Sequence, residues 1–254
     1  MDYDSSKFTN SNNMQLNARD ELYKEFESYN APRNEKERSL ALFIRASQLA
    51  RILAVEEIYK KIIDIPGNVF DFGTWRGSTA VLCENLRAIY EPLNFQRHIY
   101  AFDTFEGYKG FKDSEVTVNN ISNGTYSVEN NYENVLSKLL LLHEQNNAMG
   151  HINDKHFVIK GDITETFPLL LEQNEGLSIS LAFFDLNCYQ PTMITLKHTL
   201  ERLLPGGILA IWQFSRLEIQ AEAKAYFQLI EGKTSFTIHK CEAYPSLVYI
   251  IKEK

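Results

Sequence analysis

The sequence has no long apolar run, no dense cluster of basic residues and few cysteines, and each absence excludes a class of protein. A membrane-spanning helix needs roughly 20 apolar residues, so no membrane span is expected. The net charge of −7, without a Lys/Arg-dense run, argues against a nucleic-acid partner, which would require a basic face. Cys83, Cys188 and Cys241 are far apart and lack metal-ligand spacing. We expect reduced thiols in a cytoplasmic protein, and the polar N-terminus predicts no secretion signal.

The length and the hydrophobic content indicate one α/β domain with additions. The chain has 254 residues, of which 44% are hydrophobic, enough for a sizeable core. We expect an N-terminal arm with helices over residues 1–65 and a main domain over residues 66–254. A polar stretch at about 108–127 lacks periodicity, which predicts a lid inserted in that domain.

The N-terminal part has apolar residues at helical spacing. A short helix is predicted at 18–29, after a loose arm. Asn34-x-x-Glu37 resembles a capping box and predicts a long helix that continues to about Asp64, with or without a bend midway. The surplus of apolar faces in this part also suits a contact between copies of the chain, so a homo-oligomer is expected.

After residue 66, apolar runs alternate with helical patterns, and a close pair of apolar runs follows. The predicted strands are Val69–Phe72, Ile99–Phe102, His156–Lys160, Ile179–Phe184 and Ile208–Trp212, then Phe236–His239 and Leu247–Ile251. The predicted helices between them are Ser78–Tyr90, Val128–Asn147, Pro168–Gln173, Thr192–Leu203 and Leu217–Ile230. The last two strands are too close for a helical crossover, so they form a hairpin. The pattern predicts a doubly wound, mostly parallel, Rossmann-like sheet of seven strands with an antiparallel C-terminal hairpin, which is an α/β fold.

The first predicted strand ends in an acidic residue that two glycines follow, in the pattern Asp71-x-Gly73-x-x-x-Gly77. Gly73 allows a sharp turn, and Gly77 opens the next helix with its amides facing the same crevice. The spacing is not that of dinucleotide-binding folds, because Trp75 stands where a second glycine would be. An acid before the first glycine suits a ligand with a positive amine, such as S-adenosylmethionine. The alternative is an ordinary strand–turn–helix with an incidental glycine pair.

Three further predicted strands also end beside an aspartate. Asp103, after the second strand, suits the two hydroxyls of a ribose, or else caps a turn. Asp162, with Gly161 before it and the Ile163 amide after it, suits an adenine, and it suits an N-cap equally well. Asp185, after the fourth strand, faces the reacting group as a general base or as one ligand of a hard metal.

His143, in the predicted helix after the insertion, is a second candidate base. A histidine has the unperturbed pKa that suits removal of a hydroxyl proton. The alternative is a solvent-facing helical residue beside Glu144. The other histidines show no mutual metal spacing.

Five segments in this order and spacing resemble the TylF/macrocin O-methyltransferase family, which methylates sugar hydroxyls of macrolides and related natural products. They are Val69–Ser78, Tyr100–Gly107, Gly124–Tyr132 with His143–Glu144, Lys160–Pro168 and Ala182–Thr192. The chain looks most similar to the branch that contains the calicheamicin rhamnosyl O-methyltransferase. The resemblance implies a class I fold dependent on S-adenosylmethionine, a small-molecule acceptor, an oligomer and a magnesium ion near the sugar hydroxyls. With the residues above, it predicts a cofactor site of Asp71, Phe72, Gly73, Thr74, Trp75, Gly77, Ser78, Asp103, Thr104, Phe105, Gly161, Asp162, Ile163 and Asp185.

Two departures from the family pattern argue against the magnesium ion. The motif Asp-x-Asp-x-Tyr after the fourth strand is here Asp185-Leu186-Asn187-Cys188-Tyr189, so an amide replaces the second acid. The acidic pair after the fifth strand is here Trp212–Gln213. Neutral groups replace charged ones at a site for a hard cation, so we expect no tightly bound metal.

The sequence therefore predicts a methyltransferase that uses S-adenosylmethionine and acts on a hydroxyl of a sugar or natural product, with Asp185 or His143 as the base. Two alternatives stay open. The chain is a family member that binds the cofactor but has lost catalysis and serves as a structural or regulatory partner, which the missing acids motivate. Or it is a metal-independent transferase to nitrogen, because an amine needs less help from a base.

Overall fold

The computed structural model describes residues 12–109, 122–147 and 155–253. The chain forms two compact units that divide between Ala50 and Arg51. This division falls before the expected boundary at residue 65. Most of the expected lid at about 108–127 lies outside the described residues. Within the described parts, no helix has the length and apolar character that a membrane crossing needs.

The first unit is helical, and its helices differ from the predicted ones. It contains α1 (Asn13–Ser28), α2 (Arg33–Arg38), a 3₁₀ turn at Leu40–Phe43 and the start of α3 (Ala46–Tyr59). The capping box lies at Asn12 and Gln15, whose side chains and amides bond reciprocally, so the predicted helix start at residue 18 is wrong. The predicted capping box at Asn34 is also wrong, because α2 starts after Pro32 without a side-chain cap. Ser39 Oγ bonds the Glu35 carbonyl where α2 ends, and the predicted long helix breaks there.

The second unit is built on one seven-stranded sheet with the order β3-β2-β1-β4-β5-β7-β6. Its strands are β1 (Asn68–Phe72), β2 (Ile99–Asp103), β3 (His156–Lys160), β4 (Ile179–Phe184), β5 (Leu203–Ile211), β6 (Phe236–Lys240) and β7 (Val248–Lys252). The pairs among β1 to β5 are parallel, and β7 pairs antiparallel with both β5 and β6. The predicted fold, including the C-terminal hairpin, is confirmed. The strand order reverses between β1 and β4, which is where ligands bind in open sheets of this kind.

Helices cover both faces of the sheet. They are α4 (Ser78–Tyr90), α5 (Tyr132–Asn147), α6 (Ile163–Gln173), α7 (Tyr189–Arg202) and α8 (Ala221–Leu229). Successive strand residues point to opposite faces, so Val69 belongs to one buried cluster and Phe70 to the other. The second half of α3 is buried in the same cluster as Val69, which explains why the larger unit starts as early as Arg51.

Several predicted element starts are displaced by local backbone chemistry. The helix predicted from Val128 begins at Tyr132, because Asn131 has a φ of 62°, outside the helical region. The helix predicted from Pro168 begins at Ile163, because Asp162 caps it. These shifts leave the carboxyl ends of the five parallel strands within one residue of the predicted positions.

Candidate active site

The candidate site lies at the carboxyl ends of three adjacent strands. Asp71 lies near the end of β1, Asp103 is the last residue of β2, and Asp185 directly follows β4. Strands β2 and β4 flank β1 on its two sides. Since all three strands run parallel, their carboxyl ends lie at one edge of the sheet. The negative charges of Asp103 and Asp185 both act to raise the pKa of Asp71. The structure thus brings together three of the four predicted strand-end acids around the crevice.

The loop after β1 is fixed by close backbone packing. Gly73 has a φ of 82°, and a Cβ there would lie 2.5 Å from the carbonyl oxygen of Asp185. Both the left-handed backbone and the close approach of the end of β4 therefore require glycine at this position. Trp75 has a φ of 51°, so this tryptophan adopts a left-handed backbone conformation. Dinucleotide-binding folds have a glycine at this position of their motif. Gly77 precedes α4 with a φ of 82°, and the Leu136 side chain fills the space where its Cβ would lie.

Asp71 is a buried carboxyl group with one close hydroxyl partner. Its side chain accepts a hydrogen bond from Thr74 Oγ1 at 2.5 Å. Burial raises the pKa of Asp71 to about 7, although the Thr74 hydrogen bond and the positive charge of Arg51 lower it. A bound cation beside this group would favour its ionised form.

Asp103 ties β2 to the glycine loop. Its Oδ2 accepts from the Trp75 amide at 2.8 Å, and its Oδ1 accepts from the Phe105 amide at 2.7 Å. Burial raises its pKa, and these amide bonds partly oppose that rise. Each carboxylate oxygen keeps a second lone pair, so both can still accept from a diol.

The predicted adenine residues lie where β3 passes into α6. Asp162 caps α6: its Oδ1 accepts from the Thr164 amide at 2.9 Å and from the Thr164 hydroxyl at 2.7 Å. Gly161 donates its amide to the Asp103 carbonyl at 3.0 Å, and Ile163 is the first residue of the helix. Asp162 thus acts as the N-cap of α6, as one of the two predictions for this residue stated. The cap involves Oδ1 and not Oδ2.

The remaining predicted cofactor residues have identified structural roles. The Phe72 side chain is buried in the core, and its carbonyl accepts from the Asp185 amide at 2.9 Å. Ser78 is the exposed first residue of α4. Thr104 donates its hydroxyl to the Gly107 carbonyl at 2.8 Å, and Phe105 is buried with a φ of 56°.

Asp185 is engaged by a cation and two amides. Arg51 Nη2 lies 3.0 Å from Asp185 Oδ2. Asn187 Nδ2 and Gln213 Nε2 donate to Oδ1 at 3.3 Å and 3.4 Å. The Arg51 guanidinium also stacks on the fully buried Trp212 ring, 3.8 Å from its centroid. Burial lowers the pKa of Arg51, but the attraction of Asp185, together with the smaller effects of Tyr244 and Asp71, makes the net shift upward.

A second buried acid lies behind Asp185. Glu222, at the start of α8, accepts from the Asn187 amide at 2.8 Å and is fully buried. Burial raises its pKa to about 7. Asn187, at a φ of 59°, donates through Nδ2 to the Tyr108 hydroxyl at 3.0 Å. Asn187 Oδ1, Trp212 Nε1 and Glu222 Oε2 are buried atoms without a hydrogen-bond partner among the described residues.

The structure does not bring His143 to Asp185. Tyr132, at the start of α5, donates to the Arg76 carbonyl in the glycine loop at 3.2 Å. His143 follows eleven residues later, about 16 Å along the helix. Its neighbour Glu144 pairs with Lys155, just before β3 begins. His143 therefore lies toward the opposite end of the sheet, away from Asp185.

Sequence reasoning did not identify Arg51, Glu222 or Tyr108 as site residues. Arg51 lies in α3, 134 positions before its partner, and a lone arginine in a helix carries no pattern. Acidic residues are common in the first turn of a helix, so nothing in the sequence distinguishes Glu222 from other such acids. Tyr108 lies at the edge of the polar insertion, where no motif is recognised.

The chain is similar to known methyltransferases over most of its length. The macrocin O-methyltransferase (TylF) family profile matches residues 34–236. The crystal structure of the calicheamicin methyltransferase CalS11 covers 99% of this chain and 97% of its own, with a TM-score of 0.90 and 27% identity. Its apo form, a TDP-rhamnose 3'-O-methyltransferase, matches with a TM-score of 0.82 and 26% identity over 98% of each chain.

A curated relative is more distant. Mycinamicin III 3''-O-methyltransferase of Micromonospora griseorubida is 22% identical over 147 residues, 58% of this chain. That match spans 55% of the relative's length. The family profile covers well over half of the chain, and methyltransferases of this fold take their methyl group from S-adenosylmethionine. The chain therefore belongs to the macrocin O-methyltransferase (TylF) family of S-adenosylmethionine-dependent methyltransferases.

Proposed function

We propose that this protein transfers a methyl group from S-adenosylmethionine to a hydroxyl group of a sugar in natural-product biosynthesis. The observation that carries the proposal is the row of three acids, Asp71, Asp103 and Asp185, at the point where the strand order reverses. The two CalS11 structures support the acceptor class, because the match is end to end and one of them is described as acting on a nucleotide-linked deoxysugar.

Three acids suit the three polar parts of the cofactor. Asp71 holds the amino group of the methionine end, because a buried carboxyl group with a raised pKa gains most from a cationic partner. Asp103 accepts the ribose hydroxyls through the lone pairs that the Trp75 and Phe105 amides leave open. Oδ2 of Asp162, which the helix cap does not use, and the Ile163 amide would face the adenine.

When bound, S-adenosylmethionine supplies an electrophilic methyl group on a sulfonium. Asp185 is the base: its carboxylate is one-fifth exposed, at 19%, and lies next to buried polar atoms that have no protein partner among the described residues. Asn187 Nδ2 and Gln213 Nε2 hold the Asp185 carboxylate in place, so that it can meet the acceptor in line with the methyl group.

The test is a binding measurement followed by an acceptor panel. Calorimetry with S-adenosylmethionine and S-adenosylhomocysteine should give one site per chain, and Asp103→Ala should weaken it about tenfold or more, since two charge-assisted hydrogen bonds are lost. Mass spectrometry should then detect a gain of one methyl group on a nucleotide-linked deoxysugar or a glycosylated macrolide. Amines in the same panel test transfer to nitrogen. No cofactor binding by the folded protein would refute the proposal.

A family member without catalysis is the second candidate, and the substitution of the acidic pair by Trp212–Gln213 favours it. It predicts binding of the cofactor with no methylation of any acceptor in the panel. The two candidates thus separate at the second step of the same experiment.

We also propose that the chain forms a homo-oligomer in the cytoplasm. The first unit exposes large apolar side chains, among them Met14, Tyr23, Leu40 and Leu42. The surface of this unit is thus suited to contact with a second copy of the chain. The three cysteines are buried and not disulfide-bonded, which fits a reducing compartment. Light scattering after gel filtration should give a multiple of 29.3 kDa. Leu42→Glu should shift the mass towards the monomer, whereas Leu169→Glu, an exposed leucine of the second unit, should not. A monomeric native protein would contradict the proposal.

A further inference from the structure

The donor atoms around Asp185 do not fit a divalent metal ion. A hard cation needs several oxygen ligands, with charged carboxylates among them. Here the Asp185 oxygens face the Arg51 guanidinium and the side-chain amide nitrogens of Asn187 and Gln213. Among the described residues, no group of three or more His, Cys, Asp or Glu side chains is placed to hold a metal ion. A second positive charge at this position would be repelled by Arg51.

The Arg51 guanidinium is held as a fixed positive charge. It contacts Asp185 Oδ2 at 3.0 Å and stacks on Trp212 at 3.8 Å. The Trp212 side chain is fully buried, so its ring cannot move away without opening the core. The electron-rich face of the indole attracts the guanidinium, and this attraction adds to the ion pair with Asp185. Trp212, one of the two residues in place of the family's acidic pair, thus binds a cationic side chain.

Arg51 keeps hydrogen-bonding capacity for a ligand. A guanidinium has five N–H donors, and the bond that the structure describes for Arg51 uses Nη2. The side chain is about one-third exposed, at 34%, so it is accessible from the crevice. A donor fixed beside the base can stabilise negative charge that develops on an acceptor oxygen.

We propose that the Arg51 guanidinium replaces the divalent cation in this chain. It positions Asp185 and donates a hydrogen bond to the acceptor oxygen, and Trp212 fixes its plane. The inference rests on the proposed function. In the step, the acceptor O–H bond breaks and its proton goes to Asp185. The oxygen forms the new bond to the methyl carbon, and the electron pair of the methyl–sulfur bond stays on sulfur as a neutral thioether.

A metal-binding measurement tests the replacement without an acceptor. The probe is Mn²⁺, followed by electron paramagnetic resonance with the protein saturated in S-adenosylhomocysteine. The native protein should show no saturable Mn²⁺ site. The triple variant Arg51→Met, Trp212→Asp, Gln213→Asp should gain one, and Arg51→Met alone should not. Stoichiometric Mn²⁺ binding by the native protein that disappears in Asp185→Asn would overturn the inference.

Chemical rescue tests the role of the guanidinium in methyl transfer. With an acceptor from the panel, Arg51→Ala should lower kcat about 100-fold or more, the loss expected for removing a donor to a developing oxyanion. Guanidinium ion, added at a low, non-denaturing concentration, should raise the kcat of Arg51→Ala at least tenfold. Arg202→Ala, at the end of α7, is the matched control and should keep its rate without responding to guanidinium.

The outcomes separate the inference from the proposed function. No binding of S-adenosylmethionine by the native protein means that the proposed function fails. Methyl transfer by the native protein that a chelator abolishes, or that Arg51→Ala leaves intact, means that only the inference fails. A loss in Arg51→Ala that guanidinium does not reverse also counts against it.

Discussion

Asp71→Asn is expected to weaken binding of S-adenosylmethionine by about 100-fold, since truncating one partner of a buried charge pair costs about 2–5 kcal/mol. The carboxyl group is buried at the end of β1, and in the proposed complex it holds the amino group of the cofactor. The asparagine keeps the size and can still accept from Thr74, but it lacks the charge. Calorimetry measures the change. Asp64→Asn, an exposed aspartate before the sheet, is the control and should bind normally.

The same substitution should stabilise the unliganded protein at alkaline pH. The folded-state pKa of Asp71 is about 7, above the ordinary aspartate pKa of 3.8, so the folded state binds this proton more tightly than the unfolded state does. The stability from this group is complete below pH 4 and is lost as the pH rises to about 7. Asp71→Asn removes this loss, and its melting temperature should exceed that of the native protein at pH 8 and approach it at pH 5.

The raised pKa also fixes the sign of the pH dependence of binding. The cofactor favours the ionised carboxylate, so the native affinity should increase between pH 6 and pH 8, with release of a proton near pH 7. Calorimetry in two buffers of different ionisation enthalpy measures that proton. Glu222 also has a pKa of about 7, but it bonds the Asn187 amide and contacts no proposed part of the cofactor. An unchanged pH profile in Asp71→Asn would contradict the assignment.

The sequence predicts the cofactor half of the site better than the reacting half. Asp71, Asp103 and Asp185 each follow an apolar strand, and strand periodicity together with parallel topology suffices to bring them to one edge. The structure then adds contacts that no local pattern encodes. Arg51 approaches Asp185 from a helix 134 positions earlier, and the choice between capping and adenine binding at Asp162 depends on atoms of the same turn.

The left-handed backbone conformations in the loop after β1 are also only partly predicted by the glycine spacing. The spacing of Gly73 and Gly77 indicates a tight loop, and both have a left-handed backbone. Each glycine is also required by a neighbour far away in the sequence, Asp185 for Gly73 and Leu136 for Gly77. Trp75 takes the left-handed conformation without being a glycine, because its amide is held by Asp103. Such long-range contacts decide the local conformation, and they cannot be read from adjacent residues.

Arg97→Met is expected to cost about 3–5 kcal/mol of unfolding free energy, because it leaves the buried Glu91 carboxylate without its cation. Arg97 is 2% exposed and precedes β2 at the amino end of the sheet. Its Nη2 donates to Glu91 Oε1 at 2.9 Å and to the carbonyls of Ile62 and Ile65. Its Nη1 donates to the Gly67 carbonyl and to Ser180 Oγ. One side chain thus satisfies five acceptors, which lie between α3 and β1, just after α4 and in β4.

The double variant Arg97→Met, Glu91→Gln distinguishes two contributions to the loss of unfolding free energy: the unpaired charge of Glu91 and the carbonyl groups left without a donor. Removing the charge should recover part of the loss, so the double variant should be more stable than Arg97→Met alone and less stable than the native protein. Urea unfolding measures the change as a lower midpoint at constant m-value. Arg202→Met removes a hydrogen bond to the Glu175 carbonyl at a partly buried position, and should change stability by about 1 kcal/mol. Since Arg97 lies at the end of the sheet opposite to Asp71, the folded fraction of each variant should still bind S-adenosylmethionine, and a loss of affinity with unchanged urea midpoints would contradict the structural role.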